Sequence, residues 1–436
     1  MSDAGRIPNE HLVVQLSGVL VGRLWQQRQS LVFAYDASWL ARKSLPVISQ
    51  SLPAQAEPHE GPEVESFFGN LLPEGDVRSA VARALRISER NDYALLDAIG
   101  GDCAGALMLT RPDGLIVETT AGGSLLPVDE LRRMVTEAPS RPLLAGEHGM
   151  RLSLAGAQTK LALCKAGDSW VKPAPCAIST HILKPAIRDL PGSIENEAFC
   201  MTLAKRCGLD VPDCWIETDP PLYVVERYDR IRDVATGRVK RLHQEDFCQA
   251  LGVPSSNKYE AEGGPSLKAC FDLVRRVSSD PTGDLLRLLD WVIFNFLIGN
   301  HDAHAKNLSL IYRGGQTRLA PFYDLISTAA YPHLSDKFAM RIGGAQTVRY
   351  MSMRDWRAFA EDCGLAPGFV TNRLHLVIDS VTANFDRLLD DFQSTGDARA
   401  LAGQVIVARI EVWTRMVHAQ IQKFEAELKE VRPTLR

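Results

Sequence analysis

Asp302 and Asn307 stand five residues apart in Asn300-His301-Asp302-Ala303-His304-Ala305-Lys306-Asn307. An aspartate opening such a loop can orient and deprotonate an incoming hydroxyl. An asparagine five residues later can offer its carbonyl oxygen to a magnesium ion on phosphates. The chemistry is phosphoryl transfer to a hydroxyl; the competing reading is an Asx-rich loop bonding its own backbone. Seventeen residues on, Pro321-Phe322-Tyr323-Asp324-Leu325-Ile326-Ser327 sets Asp324 among apolar residues after a short strand-like run. It is placed to supply a second metal ligand, or else is a turn aspartate at a strand end. His301 and His304 form an H-x-x-H pair, but no acid or cysteine sits at zinc spacing beside them, which disfavours a zinc site.

Upstream, Ser179-Thr180-His181-Ile182-Leu183-Lys184-Pro185 ends a β-type run on Lys184. A strand lysine can grip the α and β phosphates of ATP, although such a lysine is more often simply solvated. Residues 193–207 read as a helix with an apolar side of Ala198, Met201, Leu203 and Ala204, stopped by Gly208 and Pro212. Glu197 near its start either pairs with Lys184 or is an acid favoured by the helix dipole. The order Lys, Glu, Asp, Asn, Asp is that of a kinase active site.

Several longer runs carry a more specific likeness. They are Leu152-Ser153-Leu154-Ala155-Gly156-Ala157-Gln158-Thr159-Lys160, His181-Ile182-Leu183-Lys184, Val225-Glu226-Arg227-Tyr228-Asp229-Arg230, Gln244-Glu245-Asp246, the Asp302 loop and Phe322-Tyr323-Asp324. Together they resemble the HipA family of bacterial serine/threonine kinase toxins. Phe67-Phe68-Gly69-Asn70-Leu71-Leu72-Pro73 and Ile99-Gly100-Gly101-Asp102-Cys103-Ala104-Gly105-Ala106 resemble its N-terminal portion, so the likeness spans most of the chain.

The resemblance implies an ATP- and magnesium-dependent protein kinase. It makes Asp302 the base, Asn307 and Asp324 the metal ligands, and Lys184 the phosphate clamp supported by Glu197. By the same resemblance Ala155, Gly156, Ala157, Gln158, Thr159 and Lys160 form a phosphate-contacting loop. Glu226, Arg227 and Tyr228 form the hinge that meets adenine, and His304, Lys306 and Tyr323 complete the nucleotide site. Ser153 is implied as a self-modified residue whose phosphate switches the enzyme off. The family further implies a small helix-turn-helix antitoxin, HipB-like, with DNA reached through that partner. It implies glutamyl-tRNA synthetase as target, with growth arrest and persistence as outcome. Small residues around Gly156 suit close approach of backbone N–H groups to phosphate, while the Gly-x(4)-Gly-Lys-Ser/Thr pattern of a P-loop NTPase is absent. Ala303 stands where the family pattern leads one to expect glycine, and Tyr228 where phenylalanine is common. Neither change removes a required functional group.

At 436 residues the chain is long enough for two lobes. Hydrophobic residues make up 45% and charged ones 23%, an ordinary globular balance. A net charge of −4 and a pI near 6.2 argue against direct binding of nucleic acid through a basic surface. Nine cysteines without a C-x-x-C pair predict reduced thiols and a cytoplasmic protein. Residues 1–10 lack a signal-peptide core, and the apolar run 285–298 is too short and too charged to span a bilayer. That run is expected to be a buried helix delivering Asp302.

The periodicity predicts an α+β chain with a β-rich N-terminal lobe and an all-helical C-terminal lobe, which matches the bilobal, protein-kinase-like fold, with ATP in the cleft between the lobes, that the resemblance implies. Residues 13–25 alternate around a Ser17-Gly18 turn, and Leu31, Phe33 and Tyr35 alternate again, predicting antiparallel strands. Helices are expected at 76–86 and 92–98, a mobile loop at 51–62, and strands dominating 115–228. After Asp229 the chain is expected to turn helical, closing on Ile406, Ile410, Trp413, Val417, Ile421, Phe424 and Leu428 as one amphipathic stripe. The expected divisions are 1–112, an N-terminal β-rich subdomain; 113–228, with the phosphate loop and the ATP lysine; and 229–436, with the catalytic loop. Two other functions fit the residues: a catalytically silent co-repressor of a DNA-binding antitoxin, and a small-molecule or lipid kinase. No segment reads as a membrane anchor.

Overall fold

The structure, a computed structural model, describes residues 7–42, 47–114, 123–140, 142, 152–174, 177–233, 235–393 and 400–431. The fold is mixed α and β. Two compact units are formed by Met1–Pro185, Glu217–Asn257 and Ser309–Ala320, and by Ala186–Ile216, Lys258–Leu308 and Pro321–Arg436.

The first unit holds most of the strands. Leu12–Leu16 and Val19–Gln27 pair antiparallel across Ser17 and Gly18, both at positive φ, the backbone a tight two-residue hairpin demands. Ser30–Tyr35 continues the sheet beyond a second such turn at Arg28 and Gln29. Helices Pro62–Gly69 and Asp92–Ile99 pack with this sheet, burying Phe33, Trp39, Phe67, Phe68, Leu95 and Leu96. The helix expected at 76–86 occupies Gly75–Leu85. Within 51–62, where a mobile loop is expected, His59–Glu60 pairs with Val32 and Phe33, and Ser51 Oγ donates to the Gln249 carbonyl at 2.8 Å. A second sheet orders Cys214–Thr218, Pro221–Glu226, His181–Lys184, Leu161–Ala166, Ser169–Pro173 and Gly123–Leu125.

The second unit is built on helices Ser193–Arg206, Leu267–Val277, Pro281–Ile298, Met353–Asp362, Pro367–Gln393 and Ala400–Val431. It is not all helical: Lys337–Ile342 and Ala345–Thr347 form a hairpin. Nor does helical structure begin at Asp229. Arg230–Arg232, Val239–Arg241 and His243–Asp246 are strands, and the last of these pairs with Ser309–Arg313 in the first unit. These strands are three to five residues long and rich in charge, so they carry too little apolar alternation to announce themselves.

Helix Pro281–Ile298 is the spine of the second unit, with Trp291 to Ile298 buried without interruption. Ile406, Ile410, Val417 and Ile421 of the last helix are buried as expected; the side chains of Phe424 and Leu428 lie outside the described residues. That helix also serves the spine's end. Trp413 Nε1 and Thr414 Oγ1 donate to the carbonyls of Phe296 and Leu297 at 3.4 and 3.1 Å, capping acceptors that a helix C-terminus leaves open. Gly299 then turns the chain at φ +71°, where a Cβ would come within 2.5 Å of Ala329 Cβ and 2.6 Å of Trp413 Nε1. Among the described residues no helix is long and apolar enough to cross a membrane, and all eight described cysteines are free.

Candidate active site

In the first unit, residues 152–160 are docked on the backbone of distant segments. Leu152 bridges Asp102 and Gly156 bridges Pro73. The N–H of Ser153 donates to the Asp102 carbonyl at 3.1 Å, and that of Glu74 to the Gly156 carbonyl at 3.1 Å. Leu152 and Leu154 are buried against Ala162 and Ile182. Ser153 is 0% exposed, its hydroxyl donating to the Leu71 carbonyl at 2.6 Å. Gly156 sits at φ +104°, a conformation that L side chains rarely adopt. Lys160 Nζ folds back to donate to the Ala155 carbonyl at 2.6 Å, closing the loop. Ala157 is exposed, and Ala155, Gln158 and Thr159 are half-buried. Gln158 reaches the Pro185 carbonyl at 3.4 Å, next to Lys184. Lys184 ends its strand 5% exposed, with Nζ 5.5 Å from the Tyr223 ring centroid.

The expected hinge rests on a buried ion cluster that sequence reasoning missed. Glu226 closes its strand opposite His181 and is exposed. Arg227 is buried. Its guanidinium bonds both Asp229 oxygens at 3.0 and 2.9 Å, Ser179 Oγ at 2.9 Å and the Cys103 carbonyl at 2.9 Å. Its backbone is also engaged, the N–H donating to the Thr180 carbonyl at 2.9 Å and the carbonyl accepting from the Arg230 N–H at 3.1 Å. Asp102, 3% exposed, takes Arg230 at 2.9 Å and Arg241 at 3.0 Å, with Ser179 Oγ at 2.7 Å. Burial alone would raise the Asp102 carboxyl, but Arg230, Arg227 and Arg241 outweigh it and hold it well below the carboxylate range. Burial and the neighbouring Arg227 charge bring Arg230 down to about 10.

Half-buried Tyr228 donates its hydroxyl to Gln244 Oε1, and Gln244 Nε2 turns to Asp229 at 3.5 Å. The carboxylate can only accept, so the amide nitrogen faces it and the amide oxygen is left for the tyrosine. Gln244-Glu245-Asp246 is therefore a support strand. Gln244 orients Tyr228, and Asp246 caps helix Phe247–Leu251 through a reciprocal pair with Gln249. Glu245 is 1% exposed and accepts from Ser49 Oγ at 2.6 Å, Gln50 N–H at 3.0 Å and the Tyr312 hydroxyl. Burial overrides these donors and pushes its carboxyl up to about 7.

In the second unit, Asp302 follows the Gly299 turn with its side chain exposed. Asn300 organises the neighbourhood. Its Oδ1 accepts the Asp302 N–H at 3.1 Å, and its Nδ2 donates to Asn295 Oδ1 at 2.7 Å and to the Asp324 carbonyl at 3.5 Å. Asn307, 9% exposed, closes a 3-10 turn over Ala305–Asn307, its Oδ1 accepting the His304 N–H at 3.1 Å. His304 and Lys306 are buried, and the Lys306 carbonyl takes the Tyr323 hydroxyl at 2.7 Å. Half-buried Asp324 adopts φ +55°, a left-handed conformation that aspartate tolerates better than most residues. His301 packs against the rings of Phe338 and Trp413. Glu197 is buried in helix Ser193–Arg206, in the unit that does not contain Lys184. The residue before Glu197, Asn196, holds both the N–H and the carbonyl of Ser327 at 2.9 Å, anchoring the segment after Asp324. The roles of Asn196, Asp102 and Gln244 escaped sequence reasoning because their partners lie 15 to 139 residues away, and that of Asn300 because spacing alone does not say which way a loop asparagine turns.

Oxygen donors on Asp324 and Asn307 are the hard ligands magnesium takes, and Asn307 Oδ1, which accepts the His304 N–H, has a second lone pair. The set fits the ion that the sequence pattern implies. Comparison with known proteins agrees in extent. The model of the HipA N-terminal domain matches residues 12–110 and that of the HipA-like C-terminal domain matches residues 152–387. Y4mE of Sinorhizobium fredii, named as a kinase, is 47% identical over 390 residues, 87% of this chain and 92% of that protein. The serine/threonine-protein kinase toxin HipA of Shewanella oneidensis is 29% identical over 380 residues, 83% of this chain and 86% of that protein. A solved complex of Shewanella oneidensis HipA, HipB and operator DNA matches with a TM-score of 0.79 and 26% identity, over 94% of this chain and 98% of that chain.

Proposed function

This chain belongs to the HipA family of protein kinases, and on that premise we propose that it moves the γ-phosphoryl group of ATP to serine or threonine of a target protein. The observation carrying the proposal is the Asn300-centred arrangement that ties the Asp302 N–H and the Asp324 carbonyl to one side chain. Asp302 accepts the proton of the attacking hydroxyl. Magnesium, when bound, neutralises phosphate charge, and Asn307 and Asp324 are the residues that would hold it. Lys184 and the backbone of 155–160 are the residues proposed to position the phosphates, His304 and Lys306 to contact the nucleotide, and the hinge at 226–228 to receive adenine. Catalysis is positioning and electrostatic stabilisation rather than covalent chemistry.

HipA of Shewanella oneidensis is solved with HipB and operator DNA. The partner proposed here is a small helix-turn-helix antitoxin, through which this acidic chain reaches DNA. The target is a translation component such as glutamyl-tRNA synthetase, and the consequence is growth arrest and persistence in the cytoplasm. Incubating the purified chain with labelled Mg-ATP and cell lysate tests the reading. Label in protein bands supports it; label only in a small-molecule or organic fraction, or none, overturns it. Expression of an Asp302→Asn variant separates toxicity by chemistry from toxicity by binding, since arrest that persists would make the chain a silent co-repressor.

Ser153 is the proposed self-modification site. Its full burial means that the 152–157 segment must leave Leu71, Pro73 and Asp102 before phosphate can be added, and a charge near −2 then opposes re-docking between Leu152 and Leu154. Mass spectrometry of active enzyme after Mg-ATP should find phosphate at Ser153. Phosphate elsewhere and never there retires the assignment.

A further inference from the structure

Strand Lys337–Ile342 holds two segments of the second unit at positions two residues apart. The Ala339 N–H donates to the carbonyl of His301, the residue before Asp302, at 2.8 Å. The Arg341 N–H donates to Glu260 Oε2 at 2.7 Å, and Glu260 follows Tyr259. The Tyr259 carbonyl accepts from the N–H groups of Glu262 and Gly264 at 3.0 and 2.9 Å, so its backbone is fixed in a tight turn. From that turn the Tyr259 hydroxyl donates to Asp302 Oδ1 at 2.7 Å. Its ring meets the edge of His304 at 5.5 Å between centroids.

We infer that Tyr259 is the positioning residue for the base. The inference rests on the reading of Asp302 as the group that accepts the substrate proton. An exposed aspartate at a loop start turns freely about its side-chain bonds. A phenol anchored on the same strand as the loop removes that freedom by binding one carboxylate oxygen, and the other is presented to the acceptor hydroxyl. A carboxylate offers about four lone-pair sites, so the tyrosine and the substrate do not compete for one. Tyr259 lies 43 residues before Asp302 and outside every motif that pointed to the site.

The test is the initial rate of 32P transfer from Mg-ATP to protein, counted over the chain itself and added lysate proteins, at varied ATP. Tyr259→Phe is expected to lower kcat roughly tenfold, with the KM for ATP within about twofold and the unfolding midpoint unmoved. The double variant Asp302→Asn/Tyr259→Phe is expected to be no slower than Asp302→Asn alone, because the phenol acts only through the carboxylate. Glu260→Ala, which loosens the turn and leaves the phenol in place, is expected to cost about threefold. An unchanged or higher kcat in Tyr259→Phe overturns the inference, the latter by making the tyrosine a plug. Full activity in Asp302→Asn overturns instead the reading of the base on which it rests.

Discussion

The residues expected to hold the nucleotide and those expected to perform the transfer are supported in opposite ways. In the first unit the 152–160 segment, Lys184 and the hinge depend on partners far away in sequence. Asp102 reaches Arg227, Arg230 and Arg241 across 125 or more residues, and Ser153 reaches Leu71 across 82. In the second unit Asp302 to Asn307 is one short turn, launched by a buried helix and tied by asparagines within a few residues. The first arrangement makes position a global property of the fold. The second makes it local, so its chemistry can be removed while the fold stays.

The sharpest way to break this contrast is Asp302→Asn. It should lower kcat by about 10²- to 10⁴-fold, the range for removing a general base, with no change in thermal unfolding. A fall in the melting midpoint as large as the loss of activity would show that the loop is structural. Asp102→Ala should do the reverse. It leaves three buried guanidiniums short of a carboxylate, and should cost about 3–5 kcal/mol in denaturant unfolding. Glu245→Gln sharpens the point through pH. The Glu245 carboxyl titrates near 7 when folded and near 4.5 when unfolded. Its stabilising protonated form is therefore complete below pH 4.5, and its contribution is lost as pH rises to about 7. Wild type should lose on the order of 3 kcal/mol across that window, and Glu245→Gln should not. Identical stability curves would remove Glu245 from the account. The smallest effect is expected for Asp324→Ala, which should weaken magnesium-dependent ATP binding roughly tenfold by calorimetry, while Asp302→Ala changes it far less. Equal binding by wild type and Asp324→Ala would sink the metal assignment.

The same contrast explains what the sequence could disclose. The turn that carries Asp302 and the helix that launches it were legible because they lie within thirty or so residues, where spacing and periodicity are direct reports of geometry. The opening hairpin and the helices near 76 and 92 were legible for the same reason. Gln244-Glu245-Asp246 was noticed but not understood. Its three side chains face Tyr228, the 49–51 segment and Gln249, and a tripeptide carries no trace of those partners. Strands as short as Arg230–Arg232 or Ala345–Thr347 hold too few residues for alternation to register, which is why the chain after Asp229 read as helical. Tyr259 was invisible altogether, because an anchor on Lys337–Ile342 is a fact about pairing rather than composition.

The burial of Ser153 also sets a pace. A hydroxyl with no exposed surface reacts only in the fraction of time its segment is undocked, so the rate of the proposed self-phosphorylation would scale with the opening equilibrium as well as with the speed of transfer. Each bond holding the segment, from Leu71, Asp102 or Glu74, would then lengthen the interval before inactivation. Weakening any one of them, by mutation or by a bound partner, would shorten it. Were Ser153 the self-modified residue proposed above, the chain would carry its own timer, with the interval written in the packing of a few backbone carbonyls.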